Sequence, residues 1–305
     1  MKFKLITIFL LFFLLFSFSV SAQYLEVALV SDIGGFGDNS YNDQLRSAIN
    51  EMDKKINLSV DYRAENKFDL IWGVGFTMEQ AIEEAAQMYP ERNFVIFDGV
   101  VEEENVMSLT FKKEEAGFLA GVIAALESQS SVVAFIGAKE NKVMQKYQVG
   151  FNAGVKAVNA DITIMNKYVG SFNDFSMAKR ITAELIKESV DIIFYAAGSA
   201  SHGIIDQAIE EDIKLISLDK ADIKLAPNNI LTSILKNTEH IVEDVIKAYY
   251  NDNYVNGIKE YGITDNAFIL EEKQAEKFIS SDKLVKIEEY KQQFLEGEIE
   301  MRSEL

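Results

Sequence analysis

Short apolar runs that alternate with amphipathic segments constrain this chain more than any other feature. LEVALV (25–30), LSVDYR (58–63), FDLIWGVG (68–75) and NFVIFD (93–98) are separated by helical periodicity over 41–54 and 78–88. The alternation resumes through VMSLTF (106–111), SVVAFIG (131–137), DITIMNKYVG (161–170), VDIIFYAAG (190–198), KLISLD (214–219) and NNILTSILK (228–236), with helical segments over 114–127, 143–158, 175–188, 201–211 and 238–250. Runs that are apolar throughout belong to strands covered on both faces, as in parallel sheets. The pattern predicts an α/β chain with two doubly wound, Rossmann-like sheets. A length of 305 residues exceeds one core and suits two domains. Only Pro90 and Pro227 interrupt the chain, with no low-complexity run, so the domains should be closely joined.

The N-terminus stands apart. Lys2 and Lys4 precede an apolar run over 5–18, and Val20-Ser21-Ala22 offers small residues before Gln23. This is the pattern of a secretory signal peptide over 1–22, cleaved near Ala22. The chain has no cysteine, hence no disulfide, no thiolate chemistry and no lipid-accepting cysteine at the cleavage site. The expected product is periplasmic or secreted and not a lipoprotein. With 48 acidic against 30 basic residues, a net charge of -18 disfavours nucleic acid, anionic membranes and polyanionic ligands.

In open parallel sheets ligands bind past the carboxyl ends of strands, where loops converge and helix N-termini point at the crevice. The residues there are Asp32 with its glycine loop, 73–76, Asp98-Gly99, Gly137, 170–174, Gly198-Ser199, Asp219 and Lys236. The loop SDIGGFGDNSYND (31–43) is not a dinucleotide fingerprint, because Gly35-Phe36-Gly37-Asp38-Asn39-Ser40 carries Ser40 where the third glycine belongs. GSASHG (198–203) is not a nucleophile elbow, since Ser199 stands two residues before Ser201 in place of glycine. His202 and His240 lack zinc-site spacing. No cofactor or metal is expected. Trp72 is expected in the core, and Glu102 to Glu104 and the acidic tail after Lys283 as solvated surface. Tyr41 and Phe172 each lie in a polar loop past a strand, one in each half, placed to sandwich a flat ring if the halves face each other.

These residues also carry a resemblance. DIGGFGDNSYN (32–42) resembles the D-x-G-x-x-x-D-x-S-F-N opening of the basic membrane protein family, the purine nucleoside receptors of ABC transporters. FDLIWGVGF, FVIFDGVV, FKKEEAGFLAGVIAAL, GFNAGVKAVN, YVGSFND and NILTSILK resemble its successive blocks, from about Leu25 to Tyr250. Departures are Tyr41 for the usual Phe, AAGSASHG for a glycine-richer loop, and LDKAD for D-S-D-Q. The resemblance implies a type I periplasmic binding protein fold, two lobes joined by three crossovers near Leu126, Asn237 and Asp265. That places 23–126 plus 237–265 in the N-terminal lobe and 127–236 plus 266–305 in the C-terminal lobe. It further implies a purine held between Tyr41 and Phe172, ribose hydroxyls bound by Asp219 and Lys236, and remaining polar contacts from Asp32, Asn42 and Asp98; Gly198, past its strand, is the further ligand-binding candidate. The implied partners are guanosine, inosine or adenosine and an ABC permease in the membrane; the implied role is not enzymatic. The residues alone leave open a sugar or other small polar ligand, and a sensor for a membrane signalling protein.

Overall fold

The structure, a computed structural model, describes residues 25–31, 36, 41–56, 59–61 and 68–299, with the backbone alone at 41, 53, 56 and 59–61. The signal-peptide expectation over 1–22 lies outside them. Among the described residues no helix is long and apolar enough to cross a membrane.

The first sheet takes β1 (Glu26–Val30), β2 (Ser59–Asp61), β3 (Leu70–Val74), β4 (Asn93–Phe97) and β5 (Val106–Phe111). The second takes β6 (Val132–Gly137), β7 (Thr163–Tyr168), β8 (Ile192–Ala196), β9 (Lys214–Ser217) and β10 (Ile230–Lys236). Two late strands then divide between them: β11 (Gly257–Tyr261) joins the first beside β5, and β12 (Phe268–Leu270) joins the second beside β10. The spatial orders are β11-β5-β4-β3-β1-β2 and β12-β10-β9-β8-β6-β7. Every pairing is parallel except that of β12 with β10.

Side-chain alternation shows why the strands read as unbroken apolar runs. Phe94 and Ile96 of β4 join one apolar cluster with Ile82, while Val95 and Phe97 join another. Ala134 and Ile136 of β6 likewise part from Val133 and Phe135. Each sheet is therefore covered on both faces, as the apolar runs require. Trp72 lies in the core, fully buried.

The helices are α1 (Tyr41–Ile56), α2 (Glu79–Met88), α3 (Lys113–Glu127), α4 (Lys142–Val158), α5 (Phe175–Lys187), α6 (Ser201–Glu211), α7 (Lys220–Leu225), α8 (Thr238–Tyr250), α9 (Glu272–Phe278) and α10 (Ser281–Leu295). α3 corrects the expected first crossover near Leu126. It packs along α4 and against β8 and β10, elements of the second sheet, so the chain leaves the first sheet at Lys112, ahead of α3. The contact is backbone to backbone. A Cβ on Gly121 would lie 2.1 Å from the Phe151 carbonyl oxygen, and one on Gly150 would lie 1.8 Å from that of Glu114. The acidic tail after Lys283 is also more than solvated surface. It belongs to α10, where Ile287 is buried and the Phe294 ring stacks on Phe118 at 4.7 Å.

Candidate functional site

β4 delivers Asp98 to the carboxyl edge of the first sheet. Asp98 turns the chain in the left-handed region, φ 65°, which aspartate adopts more readily than most non-glycine residues. Its N–H donates to the Leu109 carbonyl at 2.8 Å and ties the turn to β5. The next position takes glycine for want of space, since a Cβ on Gly99 would lie 2.6 Å from Ile96 Cδ1.

The carboxylate so placed receives two ammonium groups. Lys113 Nζ donates to Oδ1 and Lys236 Nζ to Oδ2, each at 2.7 Å. Lys113 opens α3 and Lys236 closes β10, so the cluster joins the first sheet to elements packed on or within the second. The three side chains are only 14 to 18% exposed. Burial pushes the Asp98 carboxyl up, but the two lysines outweigh it and hold the group well below the usual carboxylate range. Burial lowers Lys236 in turn, with Asp98 opposing.

Lys236 also lines a cleft of about 370 Å³, open solvent included, with Gln44 of α1, Tyr147 of α4, Asp219 past β9 and Phe268 of β12. Asp219 is held by its turn. Its Oδ1 accepts from Ala221 N at 2.9 Å, capping α7, and its own N–H donates to Ser217 Oγ at 2.9 Å. Ser217 Oγ donates to the buried carboxylate of Asp222 at 2.6 Å, which also accepts from the Tyr195 hydroxyl at 2.8 Å. Burial raises the Asp222 carboxyl above its ordinary value.

The structure thus brings Asp98, Asp219 and Lys236 to one place. Phe172 and Gly198 form a second pair, which does not line this cleft. A Cβ on Gly198, whose φ is 59°, would lie 3.1 Å from Phe172 Cδ1, and the Phe172 carbonyl accepts from Ala200 N at 2.8 Å. The Phe172 ring is half-buried, with Lys139 Nζ 5.8 Å from its centroid. Asn42 is 2% exposed in the first turn of α1. Tyr41 begins that helix, its side chain outside the described residues together with all of Asp32. GSASHG is a short 3-10 turn running into α6, in which Ser201 Oγ donates to the Gly198 carbonyl at 2.6 Å and His202 Nδ1 lies 3.0 Å from the Ser199 carbonyl. Serine and histidine therefore both turn to backbone and do not form a nucleophile and base pair.

Gln44, Tyr147 and Lys113 escape a sequence search confined to strand ends, because all three sit on helices. The one available signal was the lysine pair Lys112-Lys113 following β5.

The family model described as ABC transporter substrate-binding protein PnrA-like matches residues 25–304. The chain belongs to the Bmp family. As a Bmp protein it is the substrate-binding component of an ABC transporter and not an enzyme. It is 31% identical to a CD4+ T-cell-stimulating antigen of Listeria monocytogenes, over 92% of this chain and 89% of the relative. It is also 28% identical to the ABC transporter nucleoside-binding protein BmpA of Lactococcus lactis, over 72% and 74%. Among solved structures, an ABC transporter solute-binding protein from Aeropyrum pernix superposes with a TM-score of 0.73 at 22% identity, covering 90% of this chain and 92% of that one. The fold of this Bmp protein is that of type I periplasmic binding proteins.

Proposed function

We propose that this Bmp protein is exported, captures a purine nucleoside between its two lobes and hands it to the membrane permease. The observation that carries the reading is Lys236, an ammonium paired with Asp98 of the first lobe in a cleft it shares with Asp219 of the second. Carboxylates accept from vicinal hydroxyls and lysine donates to their oxygens, so this set suits a ribose. Tyr41 and Phe172 are proposed to stack on the base, with Asp32, Asn42 and Gly198 completing its surroundings. The Lactococcus relative is named as nucleoside-binding, which supports the same class of ligand.

Both lysines already face Asp98, so an added phosphate gains little from them and meets the carboxylate of Asp219. Titration calorimetry with guanosine, inosine, adenosine, cytidine and GMP tests the reading. Purine nucleosides should bind at least about tenfold tighter than cytidine or GMP, a difference of about 1.4 kcal/mol. GMP binding as tightly as guanosine, or binding of ribose alone, would overturn it. N-terminal sequencing of the exported product should begin at Gln23; a product retaining residues 1–22 would overturn the processing.

A further inference from the structure

We propose that the hydroxyl of Tyr147 is a direct hydrogen-bonding contact to the sugar end of the ligand, and so a specificity-determining group of this site. The proposal rests on the nucleoside reading above and adds a residue from a helix to a site otherwise read from strand ends.

Tyr147 is 6% exposed and firmly placed. Its carbonyl oxygen lies in the tight crossing with α3, 2.3 Å from a Cβ built on Gly117, and its ring meets Phe194 edge-on at 6.1 Å. The side chain lines the cleft with Asp219 and Lys236, the pair assigned to hydroxyl recognition. Yet no group among the described residues hydrogen-bonds its hydroxyl. It is also not one of the fully buried unpaired polar atoms among the described residues, so it meets the solvent of the cleft, where a ligand group can take the place of water.

The phenol is a neutral donor. Burial pushes its ionisation above the ordinary tyrosine value, and the nearby Asp98 and Glu114 add to that. Asp98 acts on it only through its charge, its hydrogen bonds in the structure going to Lys113 and Lys236. An acceptor entering the cleft beside Lys236 and Asp219 is the partner the geometry offers. For a nucleoside seated on that pair, this acceptor is a sugar oxygen.

The test compares wild type with Tyr147→Phe, which keeps the ring and its packing, by calorimetry with guanosine, its 2′-, 3′- and 5′-deoxy analogues, and free D-ribose. Loss of one neutral hydrogen bond should weaken guanosine binding about 3- to 10-fold. For the analogue lacking the contacted oxygen, wild type and variant should bind alike. The apo melting temperature should hold. Unchanged guanosine affinity overturns the Tyr147 contact while leaving the nucleoside reading in place. An equal loss for every analogue also overturns it, since that would report a displaced ring. A wild type that binds ribose but no nucleoside, with the variant weaker for ribose, keeps the contact and rejects the nucleoside. A wild type that binds none of these ligands rejects both.

Discussion

Asp98 is one carboxylate serving two lysines, and the asymmetry separates stability from binding. Asp98→Asn strands two ammonium groups that are mostly out of water, each 14 to 16% exposed. It should cost about 2 to 3 kcal/mol, below the ~3 to 5 of a fully buried pair because some solvent reaches them. Lys236→Met leaves Asp98 still paired with Lys113, so it should cost less stability while abolishing the proposed hydroxyl contact. Urea denaturation and calorimetry on both variants would show the two orders; Lys236→Met as the more destabilising change would contradict the argument. The pH dependence follows with a definite sign. The folded-state pKa of Asp98 is depressed, so its contribution is present above the unfolded value of about 3.9 and is lost as pH falls below it. The gap between wild type and Asp98→Asn should therefore be full at pH 7 and narrow below about pH 4.

At the scale of elements, the crossing of α3 and α4 sets the second lobe and aims Tyr147. Gly150→Ala puts a methyl 1.8 Å from the Glu114 carbonyl oxygen, and backbone cannot yield as a side chain can. Overpacking of this kind costs about 1 to 3 kcal/mol and should fall at the upper end here, read as a lower melting temperature. Unchanged stability would mean that the helices part freely. The same crossing explains what the sequence could and could not disclose. β4, β6 and β8 were legible because strands covered on both faces must be apolar throughout. Helices α1 and α8 were legible from their amphipathic period. α3 is buried along 115–124, so its periodicity names no face and its membership of a lobe was misread. α10 was masked by its charges, since only a thin seam that includes Ile287 and Phe294 meets α3. Asp98, Asp219 and Lys236 could be named from strand ends, and the structure brings the three together, whereas Tyr147, proposed as a further contact, reaches the cleft from a helix that the topology alone brings there.

The whole molecule depends on three chain passages between the lobes, and hydrogen bonds stitch them together. Lys112 N donates to the Tyr261 carbonyl at 2.9 Å, and Asn237 N donates to the Ala267 carbonyl at 2.8 Å. Glu115, at the start of α3, accepts from Ile263 N, and a Cβ on Gly262 would lie 2.5 Å from its Oε2, so the third passage runs directly over this carboxylate. Burial raises the Glu115 carboxyl above its ordinary value, outweighing the bond from Ile263 and the charge of Lys112. For a carboxyl raised on folding, stability is fully present below the unfolded pKa, about 4.3, and is lost as pH climbs through the folded value. Glu115→Gln keeps an acceptor for Ile263 N but carries no charge to bury. It should match wild type near pH 4 and exceed it increasingly toward pH 7. Glu115→Ala leaves Ile263 N without its acceptor and should cost about 1 to 3 kcal/mol across that range. It should also loosen the lobes, seen as a larger radius of gyration in X-ray scattering of the apo protein, with saturating ligand restoring the wild-type value. Glu115→Gln falling below wild type at pH 7 would show that the charge itself holds the passages together, through Lys112, and would reverse the assignment.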